Sequence, residues 1–254
     1  MATETKTELY SGQGKVSIAR RNELGRPDDN GFTFLGNCPR LVTNAEVEVV
    51  KHNESQTGKN AVDARFEKTQ QIMIESTFDE IVKEAMERYL YGTTTEVAAA
   101  TITAEAVKAK LGASVPVAQI PDTFTSLTDV GATTTYTEGT DYIISPTGMI
   151  SFPATGSAIT DGQSLEANYT AKAERLTTAF TASNESFYLR FDGLNRAKDD
   201  APVVIEMYKV RFDPSSLEAI NEEFAEYELA GDVLYDDCHA DNALYGGFMR
   251  VRLV

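Results

Sequence analysis

The chain has 254 residues, of which 42% are hydrophobic, and its acidic residues outnumber its basic ones by 39 to 23, for a formal net charge of −16. This charge argues against tight binding to nucleic acid, because such binding neutralises phosphates with Lys and Arg. The chain has only two His, two Cys and no Trp, so the side chains that most often hold metals or act as general bases are scarce. The totals point away from catalysis.

No stretch approaches the ~18 apolar residues that a membrane helix needs, and residues 1–6 contain no apolar signal region. We therefore expect no membrane partner and a protein that is made and kept in the cytoplasm, with Cys38 and Cys238 as free thiols.

A glycine-bearing first strand is predicted at 9–20, followed by a turn-rich loop at 22–31 and two long alternating segments at 40–52 and 62–75. Each long segment runs for about 13 residues against a usual ~5–6, so the pair could project about 40 Å. Such strands need a neighbour to close their edges. The predicted apolar face holds Leu41, Ala45, Val47, Val49, Val62, Ala64, Phe66, Ile72 and Ile74, and the predicted polar one holds Asn44, Glu46, Glu48, His52, Asp63, Arg65, Glu67, Thr69 and Gln71.

Residues 78–91 predict an amphipathic helix. Thr77 and Glu80 have the spacing of a capping box, and Gly92 suits the first position beyond the C-terminus. The predicted apolar stripe consists of Ile81, Val82, Ala85, Met86, Tyr89 and Leu90.

The composition becomes rich in Thr and Ala near Thr93. We predict a small β-domain at 96–179, inserted into a discontinuous domain formed by 1–95 and 180–254. Its predicted elements are a short helix at 104–111, strands at 141–145 and 149–152 joined by a type I turn, and a strand at 164–172.

The last third of the chain predicts strands at 187–193, 203–212, 224–234 and 248–254. Asp213 and Pro214 suit the start of a short helix at 215–221. The buried face of 203–212 stays open, because Glu206 and Lys209 have opposite parity. The predicted fold is mainly β with one flanking α-helix.

The sequence offers no residue on which to base an enzymatic reaction, and no metal or cofactor site is expected. Residues 12–15 (Gly-Gln-Gly-Lys) lack the spacing of a phosphate-binding loop. Residues 236–241 mix acids with Cys238 and His239, and we interpret them as an acidic surface loop. His52 is predicted at a hairpin tip and His239 in a mobile loop, both poor positions for a held catalytic base.

Residues 9–21 (Leu-Tyr-Ser-Gly-Gln-Gly-Lys-Val-Ser-Ile-Ala-Arg-Arg) and 31–38 (Gly-Phe-Thr-Phe-Leu-Gly-Asn-Cys) resemble the N-terminal region of major tail tube proteins of long-tailed, non-contractile (siphovirus-type) bacteriophages. The resemblance resumes at 187–195 and 202–214 and covers roughly 9–92 and 185–254. The central insert resembles the immunoglobulin-like or decoration-like modules that vary within such families.

This resemblance implies a tail-tube β-sandwich or barrel whose long hairpins join an inner β-barrel on assembly, with an outward-facing Ig-like insert. It implies homohexameric rings stacked into a tube, located in the virion tail after assembly in the host cytoplasm. The implied partners are further copies of the chain, the tape measure protein, the tail terminator and the distal tail protein. Double-stranded DNA would pass through without tight binding.

The same resemblance implies which residues line the lumen and which contact the adjacent ring. The lumen-lining candidates are Glu46, Glu48, Asp63, Arg65, Glu67, Glu226 and Glu228. The inter-ring loop candidates are His52, Asn53, Glu54, Ser55, Gln56, Thr57, Gly58, Lys59 and Asn60, and residues 1–8 are expected to order on assembly.

Two alternatives remain open. A tail terminator or the tube protein of a contractile system would share the fold, and a terminator would stop at a single ring. A surface- or carbohydrate-binding module would need exposed aromatic side chains, for which Tyr136, Tyr142 and Tyr169 are the candidates.

Overall fold

A computed structural model describes residues 9–80, 82–182, 185–220 and 225–254. The protein is mainly β, with 52% strand and 5% helix, which confirms the predicted fold class at that level. The chain forms two compact units, Met1–Thr93 with Thr177–Val254, and Thr94–Leu176. The expectation for residues 1–8 lies outside the described residues. Neither helix in the described part of the chain combines the length and apolarity that crossing a bilayer requires.

The helices are α1 (Lys83–Tyr89) and α2 (Asp237–Ala240). The strands, in chain order, are β1 (Gly12–Arg20), β2 (Thr33–Phe34), β3 (Arg40–Asn53), β4 (Val62–Phe78), β5 (Thr93–Val97), β6 (Ala100–Lys108), β7 (Ser114–Pro116), β8 (Pro121–Asp129), β9 (Thr135–Tyr136), β10 (Ile143–Ile144), β11 (Met149–Ser151), β12 (Ser164–Ala171), β13 (Glu174–Thr178), β14 (Phe187–Asn195), β15 (Ala201–Phe212), β16 (Tyr227–Val233) and β17 (Met249–Leu253).

The first unit is organised around one antiparallel sheet in the order β2-β1-β14-β15-β16-β4-β3, with β17 also paired to β15. One face of this sheet forms the core, into which Ile74, Phe78 and Leu229 project. Helix α1 covers that face with Ala85 and Tyr89, both essentially inaccessible to solvent. Fully burying a large apolar side chain contributes about 1.5–3 kcal/mol, so this contact anchors α1 to the sheet.

Helix α1 begins later than the sequence predicts. Thr77 belongs to β4 and pairs with Glu228 and Arg40, so the predicted capping box does not form. The N-cap is Val82, which makes no side-chain capping bond, and the carboxylate of Glu80 instead accepts the N–H of Asn37 at 3.0 Å. Ile81 lies outside the described residues. Strand pairing outweighs the local capping preference here.

The helix ends in a Schellman motif. The N–H of Gly92 donates to the carbonyl of Glu87 at 2.9 Å, and that of Tyr91 to Arg88 at 3.3 Å. Tyr91, with φ 46°, occupies the left-handed position predicted for Gly92. Glycine is needed at 92 for a different reason, because a Cβ there would lie 2.1 Å from the carbonyl oxygen of Thr178.

The second unit contains the sheets β6-β12-β8-β9 and β10-β11-β7, and β5 pairs with β13. Tyr136, Tyr142 and Tyr169 are buried in its core, so they do not form an exposed platform for a sugar. The predicted turn is confirmed, with the N–H of Gly148 donating to the carbonyl of Ser145 at 3.0 Å.

The short helix predicted at 104–111 is wrong. These residues begin within β6, where Val107 pairs with Leu165 and Ala106 with Glu166 of β12. The Ala-rich composition favours a helix locally, but pairing with a strand nearly 60 residues away prevails.

The helix predicted at 215–221 is also wrong for the described residues 215–220, which form neither helix nor strand. The N–H of Ser215 donates to the carbonyl of Tyr89 at 3.0 Å, which ties this segment to the end of α1. Asn221 and Phe224 lie outside the described residues. In β16 the predicted alternation is confirmed, since Tyr227 and Leu229 are buried and Glu228 is exposed.

The second face of the sheet shows which side of β15 is buried, a point that the sequence left open. Arg190, Glu206 and Arg250 form a row across β14, β15 and β17, and Glu206 is 5% exposed. Its carboxylate meets Arg190 Nη1 at 3.1 Å and also accepts from Arg250 Nε. Burial pushes the pKa of Glu206 up, but the hydrogen bond and charge of Arg250, with the charge of Arg190, hold that pKa below its ordinary value. Strand β15 is therefore covered on both faces.

Residues 236–241 are not the acidic surface loop expected from the sequence, because Asp236 and His239 are buried. Asp236 Oδ1 meets Arg21 Nη2 at 2.7 Å, and its Oδ2 lies 2.6 Å from His239 Nδ1. The His239 ring stacks on Tyr208 with centroids 4.3 Å apart. These contacts hold α2 against the sheet. Among the described residues, no group of three or more His, Cys, Asp or Glu side chains is placed to hold a metal ion.

Candidate functional site: the projecting hairpin

Strands β3 and β4 form a hairpin that extends beyond the rest of the sheet. They pair from Arg40–Thr77 to Asn53–Val62, whereas β16 pairs with β4 only over residues 72–78. Within the described part of the chain, residues 62–71 of β4 thus have no strand on their other side, and β3 is an edge strand along its whole length. We call residues 45–71 the projecting hairpin.

Almost every side chain of the projecting hairpin is exposed, and only Val49 and Glu54 are half-buried. Its exposed apolar residues include Phe66 at 62%, Val62 at 55% and Val47 at 47%. A two-stranded ribbon is marginally stable by itself in water. Long free edges with exposed apolar side chains are also typical of surfaces that pair with another chain.

The hairpin register contains two β-bulges. Glu48 pairs with Thr69 but Val49 with Glu67, which leaves Lys68 as the extra residue; a second bulge at Asp63 lies between His52 and Asn53. Each extra residue reverses the alternation of β4 relative to β3.

The bulges correct the predicted faces. Directly paired residues share a face, so Glu46 and Glu48 lie with Gln71 and Thr69, whereas Arg65 is opposite Lys51 and Glu67 opposite Val49 on the other face. The prediction that Glu46, Glu48, Asp63, Arg65 and Glu67 share one face is therefore wrong.

The face of Glu46 and Glu48 continues across β4 into β16. Asn44, Met73 and Asp232 form one row, and Val42, Glu75 and Ala230 the next. Hydrogen bonds connect these strands: Gln71 Nε2 donates to Asp232 Oδ1 at 3.1 Å, and Asn44 Nδ2 to Glu75 Oε1 at 3.3 Å. We call this surface the polar face; its polar members are Arg40, Asn44, Glu46, Glu48, Thr69, Gln71, Glu75, Thr77, Glu228 and Asp232, since Arg40 pairs with Thr77 and Thr77 with Glu228.

Sequence reasoning missed Glu75 and Asp232, although both continue the alternation of polar residues recognised in their strands. Glu226 is exposed just before β16, and no strand pairing assigns it to a face.

Carboxylates dominate the polar face. Glu75 contacts Arg40 at 3.3 Å and Glu48 contacts Lys68 at 2.9 Å, but exposed pairs of this kind contribute only about 0–1 kcal/mol. The face is thus acidic and open to water.

The candidate inter-ring residues lie at the hairpin tip. The carboxylate of Glu54 accepts the N–H groups of Gln56 and Thr57 at 3.0 and 2.9 Å, together with the Thr57 hydroxyl. The hydrogen bond from the Thr57 side chain, with these N–H groups, lowers the pKa of Glu54. His52 Nδ1 lies 2.6 Å from Asp63 Oδ1, with both side chains exposed. The tip therefore has its own internal hydrogen bonds.

The fold and this site define a mainly β protein with a projecting hairpin, both of whose outer edges are unpaired within the part of the chain that the structure describes. The chain belongs to the family described as protein of unknown function UCP028589, whose model matches residues 9–252. No curated protein matches it significantly.

Proposed function

We propose that this protein is a structural subunit of the tail tube of a long-tailed, non-contractile bacteriophage. Hexameric rings of the chain would stack into a hollow tube that conducts the DNA genome into the host. The proposal begins with the resemblance of residues 9–92 and 185–254 to such proteins. The observation that carries it furthest is the projecting hairpin, whose strands are exposed on both faces and at both edges.

Strand direction makes this hairpin suitable for a ring. β3 and β4 are antiparallel, so the two free edges run in opposite directions. When identical copies are related by rotation, the free β4 edge of one copy meets the β3 edge of the next with antiparallel sense. Continuing the ring covers every free edge. A single self-complementary subunit can therefore close an inner barrel.

The finer architecture in this proposal is a tail-tube β-sandwich or barrel with an Ig-like insert. Two features support it. The first unit has its core between one antiparallel sheet and a short helix, and the second unit has two sheets that share one core. The tape measure protein, tail terminator and distal tail protein remain the proposed partners, and the virion tail the proposed location.

The polar face would line the lumen. DNA carries one negative charge per about 1.7 Å of helix axis, and Lys-rich surfaces bind it through counterion release. A carboxylate-rich face would repel the phosphates and let the duplex slide. The structure changes the candidate set, because Glu75 and Asp232 lie with Glu46 and Glu48, and Arg65 does not.

Electron microscopy of the purified protein over a concentration series, with sedimentation, tests the assembly. We expect hollow tubes with a regular axial repeat. Val47 lies on β3, the edge strand that the proposal pairs with the next copy. Val47→Asp would bury an unpaired charge there, which costs more than the roughly 1.4 kcal/mol that corresponds to a tenfold change, so the concentration needed for assembly should rise at least about tenfold. Val130→Asp is the matched control, because Val130 is 63% exposed in the other unit. Monomers at all concentrations would contradict the proposal, and single rings would favour a terminator.

Charge reversal tests the lumen. We expect Glu46→Lys combined with Glu228→Lys to preserve tubes but to slow DNA release from phage that carry it, because the added cations attract phosphate. Glu48 is left unchanged, since it contacts Lys68. Glu138→Lys, an exposed site in the second unit, controls for overall charge. Equal release rates for all variants at low salt would contradict the lumen assignment.

A further inference from the structure

The polar face changes character at the Lys68 bulge. On the tip side of the bulge, Val50 pairs with Phe66 and His52 with Ala64. By strand alternation Val50 and His52 lie on the same face as Glu46 and Glu48. The face that is acidic near the sheet thus becomes apolar just beyond the bulge, with Phe66 62% and Val50 37% exposed, before the contact between His52 and Asp63 nearer the tip.

An apolar pair of this kind does not suit a water-filled bore. Burying a Phe side chain contributes about 1.5–3 kcal/mol, and aromatic side chains are enriched in the buried centres of protein interfaces. A bulge also bends and twists the strand that carries it, so it is a natural boundary between two parts of one hairpin with different surroundings.

The opposite face of the same segment carries two cations and one carboxylate, Lys51, Arg65 and Glu67, with Glu67 paired to Val49. Lys51 and Arg65 are directly opposite each other, and like charges in such positions destabilise a strand pair. Neither forms an ion pair within the described residues. A partner that supplies carboxylates would relieve this repulsion, and a second copy of this acidic chain, with net charge −16, has that chemistry.

We propose that the hairpin beyond the Lys68 bulge is buried against a second copy of this chain, with Phe66 and Val50 as its apolar anchor, and that the water-facing lining ends at Glu48. This inference rests on the proposed function. The second copy is the occupant because Phe66 belongs to the free β4 edge, residues 62–71. A copy that pairs with this edge would therefore lie beside the Phe66 side chain and cover it.

Cysteine labelling tests the inference in the full chain. The background is Cys238→Ser, because Cys238 is exposed. Burial raises the pKa of the Cys38 thiol to about 11, which keeps it protonated and slow to react. Val50→Cys and Glu46→Cys are then compared, since both lie on the same strand and face, on opposite sides of the bulge.

Maleimide labelling rates are measured at concentrations below and above assembly, with sedimentation in parallel. On assembly the Val50→Cys rate should fall at least about tenfold and the Glu46→Cys rate less than about twofold, because an interface centre excludes solvent. Assemblies in which both thiols stay equally reactive would overturn this inference and leave the proposed function standing. Absence of assembly in the unsubstituted protein would overturn both.

A second pair of variants tests the anchor directly. Phe66→Ser should weaken assembly at least about tenfold, whereas Phe180→Ser should change it less than about twofold. Phe180 is a suitable match, because it is an exposed Phe of the same unit outside the hairpin. Equal effects of the two substitutions would contradict an anchoring role for Phe66.

Discussion

Glu206→Ala is expected to lower the free energy of unfolding by about 3 kcal/mol. The substitution leaves Arg250 and Arg190 on the sheet without the carboxylate that lies between them. Breaking a buried pair from one side typically costs about 3–5 kcal/mol. The lower end applies because Arg190 keeps a second partner, Asp192, at 2.7 Å. Urea unfolding followed by circular dichroism at pH 7 measures the change.

Glu228→Ala is the matched control. Glu228 lies on a strand of the same sheet but is exposed, and exposed substitutions usually stay within about 0.5 kcal/mol. Equal losses of stability for Glu206→Ala and Glu228→Ala would show that the row formed by Arg190, Glu206 and Arg250 does not stabilise the fold as described.

Asp236→Asn is expected to destabilise the protein by about 2–3 kcal/mol at pH 7 and by much less in acid. Burial pushes the pKa of Asp236 up, but the hydrogen bond with His239 and the charge of Arg21 outweigh burial and hold that pKa below its ordinary value. A carboxylate with a depressed pKa stabilises the fold above the pKa of the unfolded chain, near 3.9. That contribution is lost as pH falls through the folded pKa.

The difference in unfolding free energy between the unsubstituted protein and Asp236→Asn should therefore stay nearly constant from pH 7 to about 5 and shrink as pH falls below about 4. Asp237→Asn, at the adjacent exposed residue, should show a small difference at every pH. Thermal unfolding at several pH values measures both. A difference for Asp236→Asn that grows on acidification would contradict the assigned sign.

In the hairpin, the alternation of polar and apolar residues predicts the strands but not the bulges. Period-two patterning predicted strands at 40–52 and 62–75, and the structure has β3 and β4 there, with β4 extended to Phe78. The bulges at Lys68 and Asp63 were not predictable, because Asp63 fits simple alternation between Val62 and Ala64, and Lys68 lies in a run of polar residues at 67–71. Which β4 residues share a face with Glu46 depends on those bulges, so part of the candidate lumen set was misplaced.

Local propensity also failed where a distant strand competes for the backbone. Thr77 had the spacing of a helix cap but pairs with Glu228, and Ala106 had helical neighbours but pairs with Glu166. His239 looked like part of a mobile acidic loop until Tyr208 and Asp236 enclosed it. In each case one deciding partner, which is Glu228, Glu166 or Tyr208, lies well outside the local sequence window.

The sequence by itself determined the mainly β class, the long hairpin and the alternation of β16, because side-chain periodicity and turn residues are local properties of the chain. Tertiary structure decided the register of β3 against β4, the burial of Glu206 and Asp236, and the limits of α1. Those features depend on contacts between residues far apart in sequence, such as Arg21 with Asp236 and Arg190 with Glu206. Their free energies outweigh the small local preferences of the backbone.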